Sequence, residues 1–273
     1  MSHKPILLNE IQNVIEKYNI HTAIDVTFGG GNHAKLFPHL EFAMDRDIEA
    51  QKYNTFGANL IIDKFSNLSK YITKPVDVVH ADLGLSWMQI QSNRGFSFMT
   101  NSELHMTASQ DDVSLYKTIN HMSKNEITKI LSEYGELKNA KAIAQNIVEY
   151  QLHKDIHTTY DLIEACKINN YSMLAKIFQA FRIYVNDEIN ELHAMLNTAI
   201  EFAKYISIIT FHSIEAKIVK EFMASKGYKI VRIMPSKDEI SINPASRSAL
   251  LYICFKPEPK PAKIAKKRKS KDN

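Results

Sequence analysis

The feature that most constrains the fold is a series of short apolar runs that alternate with stretches of helical periodicity. Runs of this length, rich in β-branched residues, are typical of buried strands. Their alternation with helices predicts an α/β fold with a doubly wound, mostly parallel sheet. The last two runs are close in sequence and joined through Pro235 and Asn243-Pro244, which predicts an antiparallel end to the sheet. The predicted strands cover residues 22–27, 41–45, 60–63, 76–82, 205–211, 229–233 and 250–255.

A gap of more than one hundred residues separates the fourth and fifth predicted strands, far more than one strand–helix–strand unit needs. Ser123 and Glu126 form a capping box that predicts a helix ending near Tyr134. Apolar residues then recur at helical spacing from 140 to 150, and further helices are predicted over 159–167 and 177–204. The expected organisation is an α/β domain in two parts, 1–108 and 191–255, an inserted helical substrate-recognition domain, 109–190, and a tail, 256–273.

The positive charge of the chain lies in that tail. The formal net charge is +4, and residues 256–273 contain eight basic and two acidic side chains, so the rest of the chain is slightly acidic. A tail of this composition is predicted to be disordered and suits phosphate backbones, although a solubilising role fits equally well. No apolar run approaches the roughly 20 residues of a membrane span, and the N-terminus lacks a secretory pattern. With two cysteines far apart, a cytoplasmic protein is expected.

A glycine-rich loop follows the first predicted strand, in the segment from Asp25 to Ala34. Glycines at such a junction let the backbone approach a ligand closely, and the Gly29-x-Gly31-x-x-Ala34 spacing also satisfies a loosened dinucleotide fingerprint. Asp25 favours a different ligand, because a carboxylate at the mouth of the loop repels a pyrophosphate and attracts the ammonium group of S-adenosylmethionine. The alternative is that Asp25 only accepts hydrogen bonds from the backbone of the turn.

Acidic residues also end the second and fourth predicted strands. Asp45 suits the two ribose hydroxyls of a nucleoside cofactor, and Phe65, after the third strand, is a candidate neighbour of the adenine. Asp82 ends the fourth strand, where a doubly wound sheet places its substrate. An acceptor there can bind a hydrogen of an exocyclic base amine and direct the nitrogen lone pair at a methyl donor. Asp82 is therefore the candidate catalytic residue.

Several sequence blocks in a fixed order resemble the ribosomal RNA small subunit methyltransferase H family, the MraW type, whose members methylate cytosine N4 in 16S ribosomal RNA. The resemblance implies a Rossmann-like class I methyltransferase sheet with an inserted helical domain, and S-adenosylmethionine as cofactor. The blocks are HKPILLNE, DVTFGGGNH, MDRD, DLGLS-x-x-Q, RGFSF, EYGE, FQAFRIYVNDE, ITFHSIEAKIVK and NPASRS. The cofactor contacts that it implies are Gly31, Asn32, His33, Asp45, Phe65, Asp82 and Gln89.

The departures from the family pattern concentrate on the substrate side. Trp87 and Met88 replace the usual Ser-Pro, and residues 104–109 lack two acids that the family has after RGFSF. Asn32 replaces a glycine of the loop. Trp87 is a candidate platform for the target base or, equally, packs under its loop. Arg182 and His212 are further candidate substrate contacts, and Ser213 is predicted to cap the helix that follows the fifth strand.

The expected activity is direct in-line transfer of a methyl group to cytosine N4, without a metal. The expected partner is small-subunit ribosomal RNA or an assembling small subunit, and a homodimer is also compatible with the sequence. One alternative is a catalytically weak or inactive ribosome assembly factor of the same fold that binds RNA. A second alternative, an NAD-dependent oxidoreductase, is disfavoured because no residue suits hydride transfer.

Overall fold

The computed structural model describes residues 5–109 and 112–257; most of the predicted basic tail lies outside these residues. A seven-stranded sheet forms the centre of the molecule, in the order β3-β2-β1-β4-β5-β7-β6. Three of the seven strand predictions, β4, β6 and β7, are correct to the residue, and the others differ by a few residues at their ends. The strands are β1 (Thr22–Asp25), β2 (His39–Asp45), β3 (Leu60–Ile62), β4 (Val76–Asp82), β5 (Ala203–Thr210), β6 (Lys229–Ile233) and β7 (Leu250–Phe255).

Strand direction follows the prediction of a mostly parallel sheet with an antiparallel end. β1 to β5 pair in parallel, whereas β7 is antiparallel to both β5 and β6. The strand order changes direction at β1: the sheet grows from β1 through β2 to β3 on one side, and continues with β4 on the other. In an open sheet of this kind the crevice at the carboxyl ends of the strands is the place where ligands bind.

In the described part of the chain, ten α-helices surround the sheet or extend from it. Within the described residues, no helix is both long and apolar enough to cross a membrane. The helices are α1 (Leu8–Tyr18), α2 (Trp87–Gln91), α3 (Leu115–Ile119), α4 (Lys124–Glu133), α5 (Ala140–Gln151), α6 (Thr159–Cys166), α7 (Tyr171–Asn186), α8 (Glu188–Phe202), α9 (Ser213–Ser225) and α10 (Lys237–Ile242), and short 3₁₀ turns cover Ala34–Leu36, Ile48–Tyr53, Phe65–Lys70 and Pro244–Ser248.

Helices cover both faces of the sheet because its central strands are apolar on both sides. Val79 packs with α8 and α9 residues in one core cluster, whereas the adjacent Val78 packs in another with Ile11 and Val14 of α1. These two layers hold the carboxyl ends of the parallel strands in fixed positions. The crevice at those ends is therefore built on a rigid frame.

A third core lies among the helices between β4 and β5. Its buried side chains run from Phe96 to Phe181, and the helices α4, α5 and α7 contribute most of them. The predicted capping box is present, since Ser123 Oγ accepts from Glu126 N–H and the Glu126 side chain accepts from Ser123 N–H. The division of the chain into an α/β domain and an inserted domain with the predicted boundaries stays a prediction.

The single helix predicted over 177–204 is wrong. The chain forms α7 and α8 instead, separated by Asp187, whose φ of 52° lies in the left-handed region. Aspartate tolerates this conformation better than most residues, and neither proline nor glycine marks the break. Asn186 fixes the bend, because its side chain accepts from Ala108 N–H and donates to the carbonyl of Met106. The bend lies beside the crevice of the sheet.

Candidate active site

One large cavity of about 750 Å³ opens at the carboxyl ends of β1, β2, β4 and β5, and residues around the α7–α8 bend close its far side. This volume suits a cofactor together with part of a substrate. The cavity brings together nine of the ten predicted site residues. These are Asn32, His33, Asp45, Phe65, Asp82, Trp87, Gln89, Arg182 and His212.

Gly31 is the predicted site residue that does not line the cavity; its neighbours Gly29 and Gly30 do. The φ of Gly31 is +72°, and a Cβ added there would lie 2.7 Å from Cζ of Phe28 and 3.0 Å from Cε1 of Phe56. A glycine is therefore needed here for the shape of the loop and for its packing on two aromatic rings. The glycine-rich sequence indicated that this position matters, but it did not show that packing on Phe28 and Phe56 is the reason.

Asp45 holds the glycine loop from the end of β2. Its Oδ2 accepts a hydrogen bond of 2.7 Å from Gly29 N–H, and its Oδ1 accepts one of 2.8 Å from Asp47 N–H. Burial raises the pKa of Asp45 to about 6, although both of these hydrogen bonds oppose the shift. Each oxygen keeps a second lone pair, so the carboxylate is able to accept further hydrogen bonds from a ligand in the cavity.

Asp25 does not have the position that the sequence analysis preferred. It lies buried beneath the loop and does not line the cavity; its Oδ1 accepts from the N–H of Thr27 at 3.0 Å. Burial raises the pKa of Asp25 to about 6. The alternative, a carboxylate that accepts hydrogen bonds from its own turn, is the one that this geometry supports.

Asp82 ends β4 on the cavity wall. Its backbone N–H donates to Thr27 Oγ1 at 2.6 Å, which ties β4 to the loop after β1. Its Oδ2 lies 3.5 Å from His33 Nδ1, and its Oδ1 is buried without a hydrogen-bond partner among the described residues. Burial, assisted by the charge of Glu215, raises the pKa of Asp82 to about 7. The turn amide of Ser86, which a structural role for Asp82 would have used, donates instead to Gln89 Oε1.

The loop after β4 is fixed by a capping box. Ser86 Oγ accepts from Gln89 N–H, and the Gln89 side chain both accepts from Ser86 N–H and donates to Asp47 Oδ2 at 3.2 Å. Asp47 also forms an ion pair with Arg94. Gln89 thus lines the cavity with an amide whose nitrogen and oxygen already have internal partners. Trp87, the first residue of α2, lines the cavity and is 40% exposed.

An ionic cluster forms another part of the cavity wall. The Arg182 guanidinium pairs with both oxygens of Glu188, at 2.8 and 3.0 Å, so Arg182 is neither on a solvated helix face nor a free cation for phosphate. His212 Nε2 lies 3.1 Å from Glu215 Oε1, and Phe211 N–H donates to Glu215 Oε2. Burial would raise the pKa of Glu215, but the His212 contacts and the charge of Arg182 hold it below its usual range.

The N-cap residue of α9 differs from the one predicted from the sequence. His212, not Ser213, is the N-cap residue, and its Nδ1 accepts from Glu215 N–H. Ser213 Oγ donates to Glu136 of the helical region instead. Glu188 and Glu215 also line the cavity and were not predicted from the sequence, although the spacing of His212 and Glu215 is that of a capping box. Potential metal ligands on Glu188, His212 and Glu215 lie within 4.8 Å of one another, and Arg182 already supplies a cation there.

The sheet order, the glycine loop after β1, the acidic residue at the end of β2 and the cavity at the carboxyl ends define a Rossmann-like class I methyltransferase. Residues 1–256 match the model of the MraW methylase family, and the chain belongs to this family. S-adenosylmethionine is the cofactor of such a methyltransferase.

Relatives cover nearly the whole chain. The ribosomal RNA small subunit methyltransferase H of Karelsulcia muelleri is 36% identical over 93% of this chain and 98% of its own length. The proteins of the same name from Flavobacterium johnsoniae and from Buchnera aphidicola of Cinara cedri are 33% and 34% identical over 93% of this chain, and over 97% and 99% of their own lengths. A ribosomal RNA methylase structure from Streptococcus thermophilus covers 94% of this chain and 98% of its own, with 10% identity and a TM-score of 0.43.

The cavity fits S-adenosylmethionine on observations of this structure. Its wall carries the carboxyl groups of Asp45 and Asp82, which suit a ligand with a sulfonium and an ammonium and would repel a pyrophosphate. Gly29 and Gly30 leave the wall without side chains, and Phe65 adds an aromatic surface. The Asp82 side chain is 29% exposed, and Oδ2, unlike the closed-off Oδ1, is an acceptor that a bound molecule can reach.

Proposed function

We propose that this chain transfers a methyl group from S-adenosylmethionine to the exocyclic N4 amine of a cytosine in small-subunit ribosomal RNA, by direct in-line displacement. The names of the relatives, which cover 93% of the chain, support ribosomal RNA of the small subunit as the substrate. The choice of a base amine rests on the residue at the end of β4.

The observation that carries the proposal is the carboxyl group of Asp82. It lines the cavity, and its side chain is 29% exposed there. Its Oδ1 is closed off from the cavity, so Oδ2 is the oxygen that a bound donor can reach. An exocyclic amine has a hydrogen to donate to Oδ2 while its nitrogen faces the methyl donor.

Asp82 then does two things for the amine. By accepting one N–H, it favours a pyramidal nitrogen whose lone pair is no longer spread into the ring. Its negative charge also stabilises the positive charge that develops on N4 during the reaction. When bound, S-adenosylmethionine supplies a methyl group on a sulfonium that leaves as a neutral thioether. Thr27 fixes the position of Asp82 through the hydrogen bond from its backbone N–H.

The remaining cavity residues divide between cofactor and substrate. We assign the ribose hydroxyls to Asp45 and the adenine surface to Phe65, with Asn32 and His33 at the rim of the glycine loop. Trp87 is assigned to the target base, because an indole that is 40% exposed at the cavity wall offers a stacking surface. Arg182 and His212 form part of the cavity wall and pair with Glu188 and Glu215. The helical region, 109–190, is assigned to RNA recognition.

Mass spectrometry of small-subunit ribosomal RNA tests the proposal. Cells that lack the gene should lose one methylated cytidine, and the wild-type gene should restore it. Asp82→Asn, expressed at the same level, should not restore it. Unchanged nucleosides in the deletion strain, together with cofactor and RNA binding by the purified protein, would instead support a catalytically inactive assembly factor.

A further inference from the structure

The tautomer of His33 follows from its hydrogen bonds. Its Nε2 lies 2.8 Å from the backbone carbonyl oxygen of Ile6, and a carbonyl oxygen only accepts. Nε2 must therefore carry the hydrogen of the neutral ring. Burial lowers the pKa of His33 below its ordinary value, which keeps the ring neutral at physiological pH. In this neutral form Nδ1 has a lone pair and no hydrogen.

The Nδ1 lone pair of His33 faces Asp82, the candidate catalytic residue. His33 Nδ1 lies 3.5 Å from Asp82 Oδ2, so two acceptors face each other whenever Asp82 is ionised. Two facing acceptors repel, and one proton placed between them converts the repulsion into a hydrogen bond. Such contacts are often long before a substrate binds and shorten in the reacting complex.

The groups around this pair bring the pKa of Asp82 close to neutral pH. Burial and the charge of Glu215 raise the pKa of Asp82 to about 7. Several other titratable groups act on the pair from the elements packed around it. For His33 these are Asp25, Glu239 and His80, and for the carboxyl groups at the ends of β1 and β4 they include Asp45 and Glu215.

We propose that His33 is a positioning residue that makes Asp82 the proton acceptor of the reaction, with the accepted proton held between Asp82 Oδ2 and His33 Nδ1. This inference rests on the proposed function. As N4 forms its bond to the methyl carbon, the carbon–sulfur bond breaks and its electron pair stays on sulfur. N4 then loses one hydrogen as a proton to Asp82, and the electron pair of that N–H bond stays on nitrogen.

One oxygen of Asp82 does this work. Oδ1 is closed off from the cavity, whereas the side chain as a whole is 29% exposed, so Oδ2 is the oxygen that the amine can reach. Oδ2 also faces His33, so the proton that it accepts from N4 stays on the same oxygen and turns towards Nδ1. A neighbouring ring that accepts from a protonated carboxyl raises the basicity of the carboxylate, and a base with a pKa near the working pH is the most effective.

Two substitutions at His33 distinguish the roles of its two ring nitrogens. His33→Gln places an amide N–H near the position of Nε2, so the donor to Ile6 is kept and the acceptor facing Asp82 is lost. His33→Asn places an amide oxygen near the position of Nδ1, so the acceptor is kept and the donor to Ile6 is lost. His39→Gln, at an exposed histidine on β2, is the control.

Single-turnover methyl transfer to ribosomal RNA is measured against pH with saturating cofactor. His33→Gln should lower the plateau rate by about 10-fold or more and shift the rising limb to lower pH, because Asp82 becomes the weaker base. His33→Asn should restore most of the pH midpoint despite a lower melting temperature. A wild-type plateau and midpoint for His33→Gln would overturn the inference.

Nitrogen NMR of the cofactor-free, RNA-free protein gives a second readout that does not depend on activity. The Nδ1 signal of His33 should move with the ionisation of Asp82 near pH 7, and Asp82→Asn should abolish that movement. A titration of His33 that is the same in the wild type and in Asp82→Asn would refute the pair even if RNA is methylated. If the coupling is present and no RNA is methylated, the proposed function fails and the pair stands.

Discussion

The glycine loop gives a sharp test of how the cavity is shaped, through replacement of Gly31 by alanine. Its φ of +72° lies in the left-handed region, where a residue with a Cβ costs roughly 1–2 kcal/mol. The new Cβ would also lie 2.7 Å from Cζ of Phe28 and 3.0 Å from Cε1 of Phe56. Overpacking of this kind costs about 1–3 kcal/mol. We therefore expect Gly31→Ala to lower the free energy of unfolding by about 2–5 kcal/mol.

Gly57→Ala is the matched control. Gly57 has the same φ of +72°, but a Cβ there would meet nothing within 4 Å among the described residues. Both variants share the backbone cost, so the difference between them, about 1–3 kcal/mol, measures the contact with the two rings. Equilibrium urea denaturation gives both values, and calorimetry gives cofactor affinity. Equal losses would refute the packing argument, and a stable Gly31→Ala with weakened cofactor binding would make Gly31 a direct contact.

Three further predictions concern the cavity wall. Cofactor affinity measured by calorimetry should rise from pH 5 to 8, because burial raises the pKa of Asp45 to about 6 and of Asp82 to about 7 and the ionised forms attract a cationic ligand. The same shifts make the cofactor-free chain lose stability over this range, since a carboxyl whose folded pKa is raised favours folding only while it is protonated. An affinity that is flat with pH would contradict the first statement, and a melting temperature that is flat with pH would contradict the second. Asp45→Ala should weaken cofactor binding by about 1–3 kcal/mol and also lower the melting temperature, since Gly29 N–H and Asp47 N–H lose their acceptor; an unchanged dissociation constant for the folded variant would remove Asp45 from the cofactor. Trp87→Ala should lower turnover and leave the melting temperature nearly unchanged, because the indole is 40% exposed, and unfolding of this variant would show a packing role instead.

The sheet was predictable because each strand carries its own signal. Apolar runs of strand length identified all seven strands, and the short connection before β7 identified the antiparallel end. The position of Asp82 followed from the same reasoning, since the last residue of a parallel strand lies at the edge where ligands bind. Local pattern and tertiary position agree at these sites.

The errors arise where tertiary contacts decide. No helix-breaking residue separates α7 from α8; the bend at Asp187 is fixed by Asn186, which contacts the backbone of residues 106 and 108. Asp25 was assigned to a ligand by its place beside the glycines, although its side chain is buried and accepts from Thr27 N–H instead. The pairing of Arg182 with Glu188 depends on the bend and was not visible in the spacing.

The most direct test of the central claim is single-turnover transfer of labelled methyl to small-subunit RNA by Asp82→Asn, with Asp77→Asn as the control. Both aspartates are on β4, but Asp77 accepts from the N–H groups of His21 and Thr22 and is structural. Asp77→Asn should lower the melting temperature and keep the rate per folded molecule. Asp82→Asn should lower the rate on the order of 10²–10³-fold without lowering the melting temperature. A wild-type rate for folded Asp82→Asn would contradict the account.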